Sequence, residues 1–251
     1  MKFLCVSDQI DPLIYSSSVK ERYGDVDAVF CAGDLSMEYV DFIVDSLSKP
    51  TYFIFGNHDL SEYKYYKKTA FGDIPEVNYD KGSHFHGADY ASNRTIKNKF
   101  LYFTAPNGKR TPLLIAGITG TLRYNKGQAQ FTEAQMKRQL IAMIPALLWN
   151  KLRYGRYCDV FLTHASPRHI HDKEDPCHKG FECFNWFIKK FNPSLLIHGH
   201  IHLYDLQAKR VTVTGKTTVV NAYSHLVVDF EPKFNGKGDN FEPVISILSD
   251  R

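Results

Sequence analysis

Thr51-Tyr52-Phe53-Ile54-Phe55-Gly56-Asn57-His58-Asp59 is the stretch that decides how this chain is read. Its apolar and β-branched run lacks the alternation of a half-exposed strand, which predicts a strand buried on both faces, and its polar tetrad begins where that run stops. The same arrangement recurs along the chain. Lys2 to Ser7 runs into Asp8, Ala28 to Ala32 into Gly33-Asp34, Val160 to Thr163 into His164, and Leu195 to His198 into Gly199-His200-Ile201-His202. In an α/β sheet, ligands bind outside the carboxyl ends of the strands, so these separate runs are expected to deliver their polar groups to one rim.

Helical patterns lie between several of the runs. Met37, Val40, Ile43, Val44 and Leu47 recur at three-four spacing behind Ser36 as N-cap, and the pattern ends before Pro50. Another helix opens at Thr132 with Gln135 as its capping-box partner, continues through Leu140, Ile141, Met143 and Leu147, and is expected to bend at Pro145. Phe181 to Phe191 reads as a helix stopped by Asn192-Pro193. After His202 the pieces Leu203 to Gln207, Val211 to Thr214, Thr217 to Asn221, Leu226 to Phe230 and Val244 to Leu248 predict antiparallel strands closing the fold. Phe71 to Tyr102 reads as irregular with one or two strands, beside Leu113 to Gly117 as another buried strand.

Composition sets the frame. With 251 residues, 43% hydrophobic and 23% charged, the chain has the make-up of a soluble globular protein, and one domain over residues 1–251 is expected. A net charge of +4 allows nucleic acid as a partner without implying it. The 5 cysteines (Cys5, Cys31, Cys158, Cys177 and Cys183) form no Cys-x-x-Cys pair and read as reduced thiols. The apolar stretch before Asp8 is too short for a signal-peptide core, and no apolar run reaches membrane-spanning length. A cytoplasmic, unanchored protein without a membrane partner is the expectation.

The side chains at the strand ends share one chemistry. Carboxylate, imidazole and amide oxygen are ligands for Mn, Fe or Zn, whereas the lack of paired thiolates argues against a closed structural zinc site. One carboxylate can bridge two dications, and a pair ~3.5–4 Å apart can hold both the attacking and leaving oxygens of an in-line displacement at phosphorus. Glycines 33, 56 and 199 suit turns in which backbone passes close to a metal or a phosphate.

Asp8, Gly33-Asp34, Gly56-Asn57-His58-Asp59, His164 and Gly199-His200-Ile201-His202, in this order, resemble the calcineurin-like metallophosphoesterase superfamily. The resemblance implies a four-layer αββα sandwich of two mixed sheets with a dinuclear centre at one edge. It implies Asp34 as the bridging ligand, Asp8 and His202 completing the first metal site, and Asn57, His164 and His200 completing the second. It implies His58 beside the metals, protonating the leaving oxygen or stabilising the phosphoryl transition state, with Asp59 placed to orient its imidazole. The reaction implied is hydrolysis of small phosphomonoesters or phosphodiesters by attack of metal-bound hydroxide on phosphorus.

The chain departs from the family's Asp-x-His motif, because Asp8 is followed by Gln9 and Ile10. Ile10 cannot bind a metal, so the first site is expected to hold its ion weakly unless Asp11 or Gln9 contributes. The alternative for Asp11 is a turn cap ahead of Pro12. Downstream of His164, the loop from Ala165 to Gly180 offers Arg168 and His178 as substrate-binding candidates, with Lys173 as another cation. Asp172, Asp175 and His178 are expected either to brace this loop or to form another ligand cluster. His198 is expected to back the metal shell or to be a satisfied core residue, and Asn221 to reach the rim or to close a turn.

Two alternative functions are carried alongside. Tyr63-Lys64-Tyr65-Tyr66-Lys67-Lys68 interleaves aromatic and basic groups, as platforms for single-stranded nucleic acid do, and suggests a nuclease; the competing account is a packed amphipathic helix. The missing imidazole at Ile10 suggests a catalytically weak scaffold for protein partners.

Overall fold

The computed structural model describes residues 1–66, 86–104, 108–205, 208–235, 240–241 and 243–249. Two mixed six-stranded sheets form its centre. In the first, the order is Val244–Ser249, Ser224–Glu231, Lys2–Ser7, Ala28–Cys31, Thr51–Phe53 and Asp89–Tyr90. Lys2–Ser7 through Asp89–Tyr90 run parallel, while Ser224–Glu231 pairs antiparallel with both Lys2–Ser7 and Val244–Ser249. In the second, the order is Val211–Thr214, Thr217–Asn221, Leu195–His198, Val160–Thr163, Arg110–Ile118 and Arg94–Thr104.

Alternate residues of a central strand enter different cores. Phe3 and Cys5 join Phe30, Ile115, Leu162 and Ile197 between the sheets, whereas Leu4 and Val6 face Val40 and Ile43 of the helix Met37–Leu47 on the outer side. Because a pleated strand presents successive side chains to opposite faces, a run apolar at every position is what a strand covered on both sides requires. The far side of the second sheet is covered the same way: Phe161 stacks on Phe187 of the helix Glu182–Phe191 with ring centroids 4.1 Å apart. The result is an αββα sandwich in four layers.

Helix ends follow the sequence closely. Ser36 Oγ accepts from the Tyr39 N–H, and Met37–Leu47 ends at Ser48 in the left-handed region, just before Pro50. Thr132 and Gln135 form the reciprocal capping box of Glu133–Ala142. At Pro145 the outcome is a break rather than a bend: Met143 separates Glu133–Ala142 from Ile144–Tyr154, whose first turn tolerates a proline because its N–H would be unpaired anyway.

Two strand expectations are corrected. Thr217–Asn221 runs parallel to Leu195–His198, in register from Leu195 opposite Thr218 to His198 opposite Asn221, so the C-terminal strands are not all antiparallel. Leu203 to Asp205 lies outside the strands, and residues 206–207 lie outside the described residues. In the segment expected to be irregular with one or two strands, Asp89–Tyr90 and Arg94–Thr104 are two strands, the second pairing antiparallel with Arg110–Ile118; residues 71–85 of that segment lie outside the described residues. As the sheet's edge, Arg94–Thr104 exposes Arg94, Lys97 and Lys99, and such polar edge strands lack the apolar signature of central ones.

Candidate metal centre

The strand ends do converge. Asp8, Asp34, Asp59 and His200 all adopt positive φ, at 65°, 53°, 51° and 66°. For residues with a Cβ, the left-handed region costs roughly 1–2 kcal/mol each, and such strain concentrates where the surrounding structure imposes it for function. Cross-bonds between the turns do the imposing. The Asp8 N–H donates to the Gly33 carbonyl at 3.1 Å, and the His200 N–H donates to both oxygens of Asp8 at 2.9 Å.

Asp34, His164 and His200 place one ligand atom each within 4.8 Å of one another. Asp34 Oδ1 accepts from the His58 N–H at 2.7 Å, and Oδ2 lies 3.2 Å from His164 Nε2. His164 is fully buried and donates from Nδ1 to the Ala32 carbonyl at 2.8 Å, so Nε2 is the nitrogen presented to the site. Burial opposes a charge on this imidazole, but the adjacent Asp34 carboxylate overrides it and pushes the pKa up to about 9. Burial likewise opposes charge on Asp34, and His164 outweighs it to hold the carboxyl far below the ordinary carboxylate range. A proton on His164 thus balances Asp34 where a cation would.

His200 behaves differently. Its Nε2 donates to the Cys177 carbonyl at 2.6 Å, which leaves Nδ1 as the free lone pair, and burial together with His164 pushes its pKa down to about 4. It stays neutral, the form in which an imidazole can bind a cation. Asn57 Nδ2 donates to the Tyr124 hydroxyl at 3.0 Å, so the amide is locked with Oδ1 available.

The residues present fit a divalent pair. Asn57 Oδ1 is buried without a hydrogen-bond partner, and an orphaned buried acceptor costs about 1–3 kcal/mol unless something occupies it. The turns leave room only for hydrogen: a Cβ at Gly56 would lie 2.0 Å from Asp34 Oδ1, and one at Gly199 would lie 2.5 Å from Asp8 Oδ2. On the first-site side, His202 Nε2 is 3.7 Å from Asp8 Oδ1, and the His202 ring packs on Tyr223 with centroids 5.0 Å apart.

Other candidates are placed elsewhere. Asp11 is buried, with Oδ1 accepting from the Leu13 N–H at 2.8 Å and Oδ2 accepting from Ser224 Oγ and from His225 Nδ1 at 2.6 Å. It caps a turn and ties the N-terminal segment to the strand Ser224–Glu231, which is the alternative the sequence left open. Gln9 and Ile10 are exposed. Arg168 is engaged by Asp172 at 2.6 Å and by both oxygens of Glu174 at 2.9 and 2.7 Å, so its guanidinium braces the loop instead of standing free for a phosphate. His178 lies beside the centre, its ring 5.4 Å from that of His200. His58 and Asp59 are exposed at the rim, and among the described residues no hydrogen bond joins their side chains.

Asn221 closes a turn and supports the centre at once: Nδ2 donates to the Ile201 carbonyl at 2.8 Å, and Oδ1 accepts from the Tyr223 N–H at 2.8 Å. His198 is a satisfied core residue, donating from Nδ1 to the Gly199 carbonyl and facing His171 Nδ1 at 2.9 Å. Tyr124 was not visible in the sequence as a functional residue. It sits between the short paired strands Thr121–Leu122 and Gln130–Phe131, held by Gln130 Oε1, which accepts from its N–H at 3.2 Å, and no local pattern announces that a loop hydroxyl will orient a ligand amide.

The Asp11 network carries a pH prediction. Burial alone would raise the Asp11 pKa, but His225, Ser224 and the Leu13 N–H bring it down to about 2. Because the folded pKa is below the unfolded value, this carboxylate contributes stability above about pH 4 that is lost as pH falls toward 2. Asp11→Asn is therefore expected to lower Tm at neutral pH, with the gap to the unsubstituted protein narrowing in acid; a gap that stays constant from pH 7 to 2 contradicts the assignment.

No curated protein matches the chain. One solved structure superposes with a TM-score of 0.55 at 13% identity, covering 90% of this chain and 93% of that one. The crystal structure of TT1561 of Thermus thermophilus gives 0.53 at 15% identity, covering 90% of this chain and 92% of that one. Both share the fold. Residues 1–204, which carry every turn of the centre from Asp8 to His202, match the calcineurin-like phosphoesterase family, and the chain belongs to that family.

Proposed function

We propose that this chain is a divalent-cation-dependent hydrolase of small phosphomonoesters or phosphodiesters, using a pair of Mn, Fe or Zn ions. The observation that carries the proposal is the gathering of Asp34, His164 and His200 donors within 4.8 Å beside the orphaned Asn57 Oδ1. When bound, the cation pair supplies Lewis acidity, which lowers the pKa of water toward neutrality and neutralises phosphoryl oxygens. Asp34 would serve both ions, Asp8 and His202 would complete the first site, and Asn57, His164 and His200 the second. Tyr124 fixes the Asn57 amide, and the Cys177 carbonyl fixes the His200 tautomer. His58, exposed at the rim and attached to Asp34 only through its backbone N–H, has its imidazole free to give a proton to the leaving oxygen.

The nuclease alternative has less to support it. Tyr63 is buried against Phe55, and Tyr66 packs on Phe53 and Tyr90, so two of the tyrosines serve the core; Lys67 and Lys68 lie outside the described residues. A scaffold without cations would bury Asn57 Oδ1 unpaired to no purpose. The 5 free cysteines are compatible with a reducing cytoplasm, and among the described residues no helix is long and apolar enough to cross a membrane.

The test is turnover by metal-reconstituted protein of an aryl monoester, an aryl diester, cyclic nucleotides and single-stranded DNA. Hydrolysis of an aryl ester is expected, and inactivity on every ester with Mn, Fe and Zn alike contradicts the proposal. Since Ile10 stands where an imidazole would complete the first site, Ile10→His is expected to tighten the weaker cation by about tenfold or more, about 1.4 kcal/mol, in a Mn²⁺ titration. Unchanged affinity would show that the first site lacks no ligand there.

A further inference from the structure

Beside the centre, Asp175-Pro176-Cys177-His178 brings a carboxylate, a thiol and an imidazole together. Asp175 Oδ1 accepts from Cys177 Sγ at 2.8 Å and from His178 Nδ1 at 2.8 Å, and Sγ lies 3.4 Å from Nδ1. The thiol and imidazole protons thus converge on one carboxylate oxygen, which also accepts from the His178 N–H at 3.2 Å, in the space where a dication would sit among the three side chains. We propose that Asp175, Cys177 and His178 form a further cation site, distinct from the pair held by Asp34 and of the mixed O, S and N class that takes Zn²⁺.

The donor chemistry sets the choice of ion. A thiolate disfavours Mg²⁺, Ca²⁺ and Mn²⁺ and favours Zn²⁺, with Co²⁺ as its spectroscopic substitute. Zn–S bonds of about 2.3 Å and Zn–N or Zn–O bonds of about 2.0 Å put tetrahedral donors roughly 3.3–3.6 Å apart, so the trio needs to open by only about half an ångström where it is now closed on protons. Loading replaces the thiol and imidazole protons, and the fourth position faces solvent, since Asp175 is exposed and Cys177 and His178 are half-buried. Asp175 is ready in its ionised form: the Cys177 thiol and the His178 imidazole hold its pKa down to about 2. Lys173 and Lys179 oppose a cation here, and both are exposed or half-buried, where solvent screens them.

The base of the loop is cross-braced. Arg168 clamps Asp172 and Glu174, Asp172 Oδ2 accepts from the Gly180 N–H at 3.0 Å, and the Lys173 N–H donates to the His178 carbonyl at 3.2 Å. The loop also touches the main centre, because the Cys177 carbonyl accepts from His200 Nε2 and the His178 ring lies 5.4 Å from the His200 ring. An ion on Cys177 and His178 would fix that carbonyl and keep His200 Nδ1 directed at the second site.

The experiment is a Co²⁺ titration of the full chain, read by the near-ultraviolet thiolate-to-cobalt charge-transfer band and by elemental analysis. Cys5, Cys31, Cys158 and Cys183 are buried, so the band reports Cys177. The band is expected in the unsubstituted protein together with one equivalent beyond those that depend on Asp34. Cys177→Ser is expected to abolish the band and that equivalent alone, His178→Ala to weaken it about 10–100-fold, and Asp34→Ala to leave the band in place. No band, a band surviving Cys177→Ser, or a band lost with Asp34→Ala overturns the proposal. The Asp34-dependent equivalents are scored separately, so failure here leaves the phosphoesterase reading untouched, and their absence with the band intact refutes only that reading.

Discussion

Asp34→Ala is expected to lose both bound cations and phosphoesterase turnover together, with activity falling by on the order of 10³-fold or more, about 4 kcal/mol. The argument rests on position. Asp34 sits at the end of the second parallel strand, with one oxygen toward the His58 N–H and the other toward His164 Nε2, in a turn where Gly33 and Gly56 leave no room for a side chain. Without the carboxylate, neither proposed cation would keep the shared anion, and His164 loses the charge that raises its pKa. Asp34→Asn separates charge from shape, because its amide oxygen still accepts from the His58 N–H. The same loss of metal is expected from it, by elemental analysis after gel filtration; two equivalents retained in either variant contradict the bridging role.

His58→Ala is expected to give the opposite split, with cations kept and turnover lowered about 10²–10⁴-fold. His58 reaches Asp34 through its backbone N–H, which alanine also has, while its imidazole is exposed at the rim. The substitution therefore spares the ligand geometry and removes only the group placed to give a proton to the leaving oxygen. A kcat within a few-fold of the unsubstituted enzyme, at full metal content, sinks that role.

Much of this architecture was legible because fully buried parallel strands leave an unmistakable trace. Val160–Thr163 and Leu195–His198 are buried at every position, so burial wrote itself into the sequence as unbroken apolar runs, and each polar side chain that followed marked a strand end. The helix starting behind Ser36 was equally plain, since capping chemistry is local. What stayed hidden is what depends on distant partners. Thr217–Asn221 runs parallel to Leu195–His198 because of where it docks, which its own residues do not encode.

The site divides along the same line. The donor side chains and their order along the chain were readable, but the partners that orient them were not. Tyr124 meets Asn57 from 67 positions away, and the Cys177 carbonyl meets His200 from 23. Asp11 shows the converse: by composition it was an eligible ligand, and only the fold reveals Ser224 and His225 closing on it from the other end of the chain. Arg168 likewise looked free in the sequence and is saturated by Asp172 and Glu174.

The most direct measurement is anomalous diffraction from crystals soaked in Mn²⁺. Two peaks about 3.5–4 Å apart are predicted, with the Asp34 carboxylate between them, Asp8 and His202 on one, and Asn57, His164 and His200 on the other. A map without peaks at Asp34, or a single ion bound clear of His164 and His200, would contradict the account.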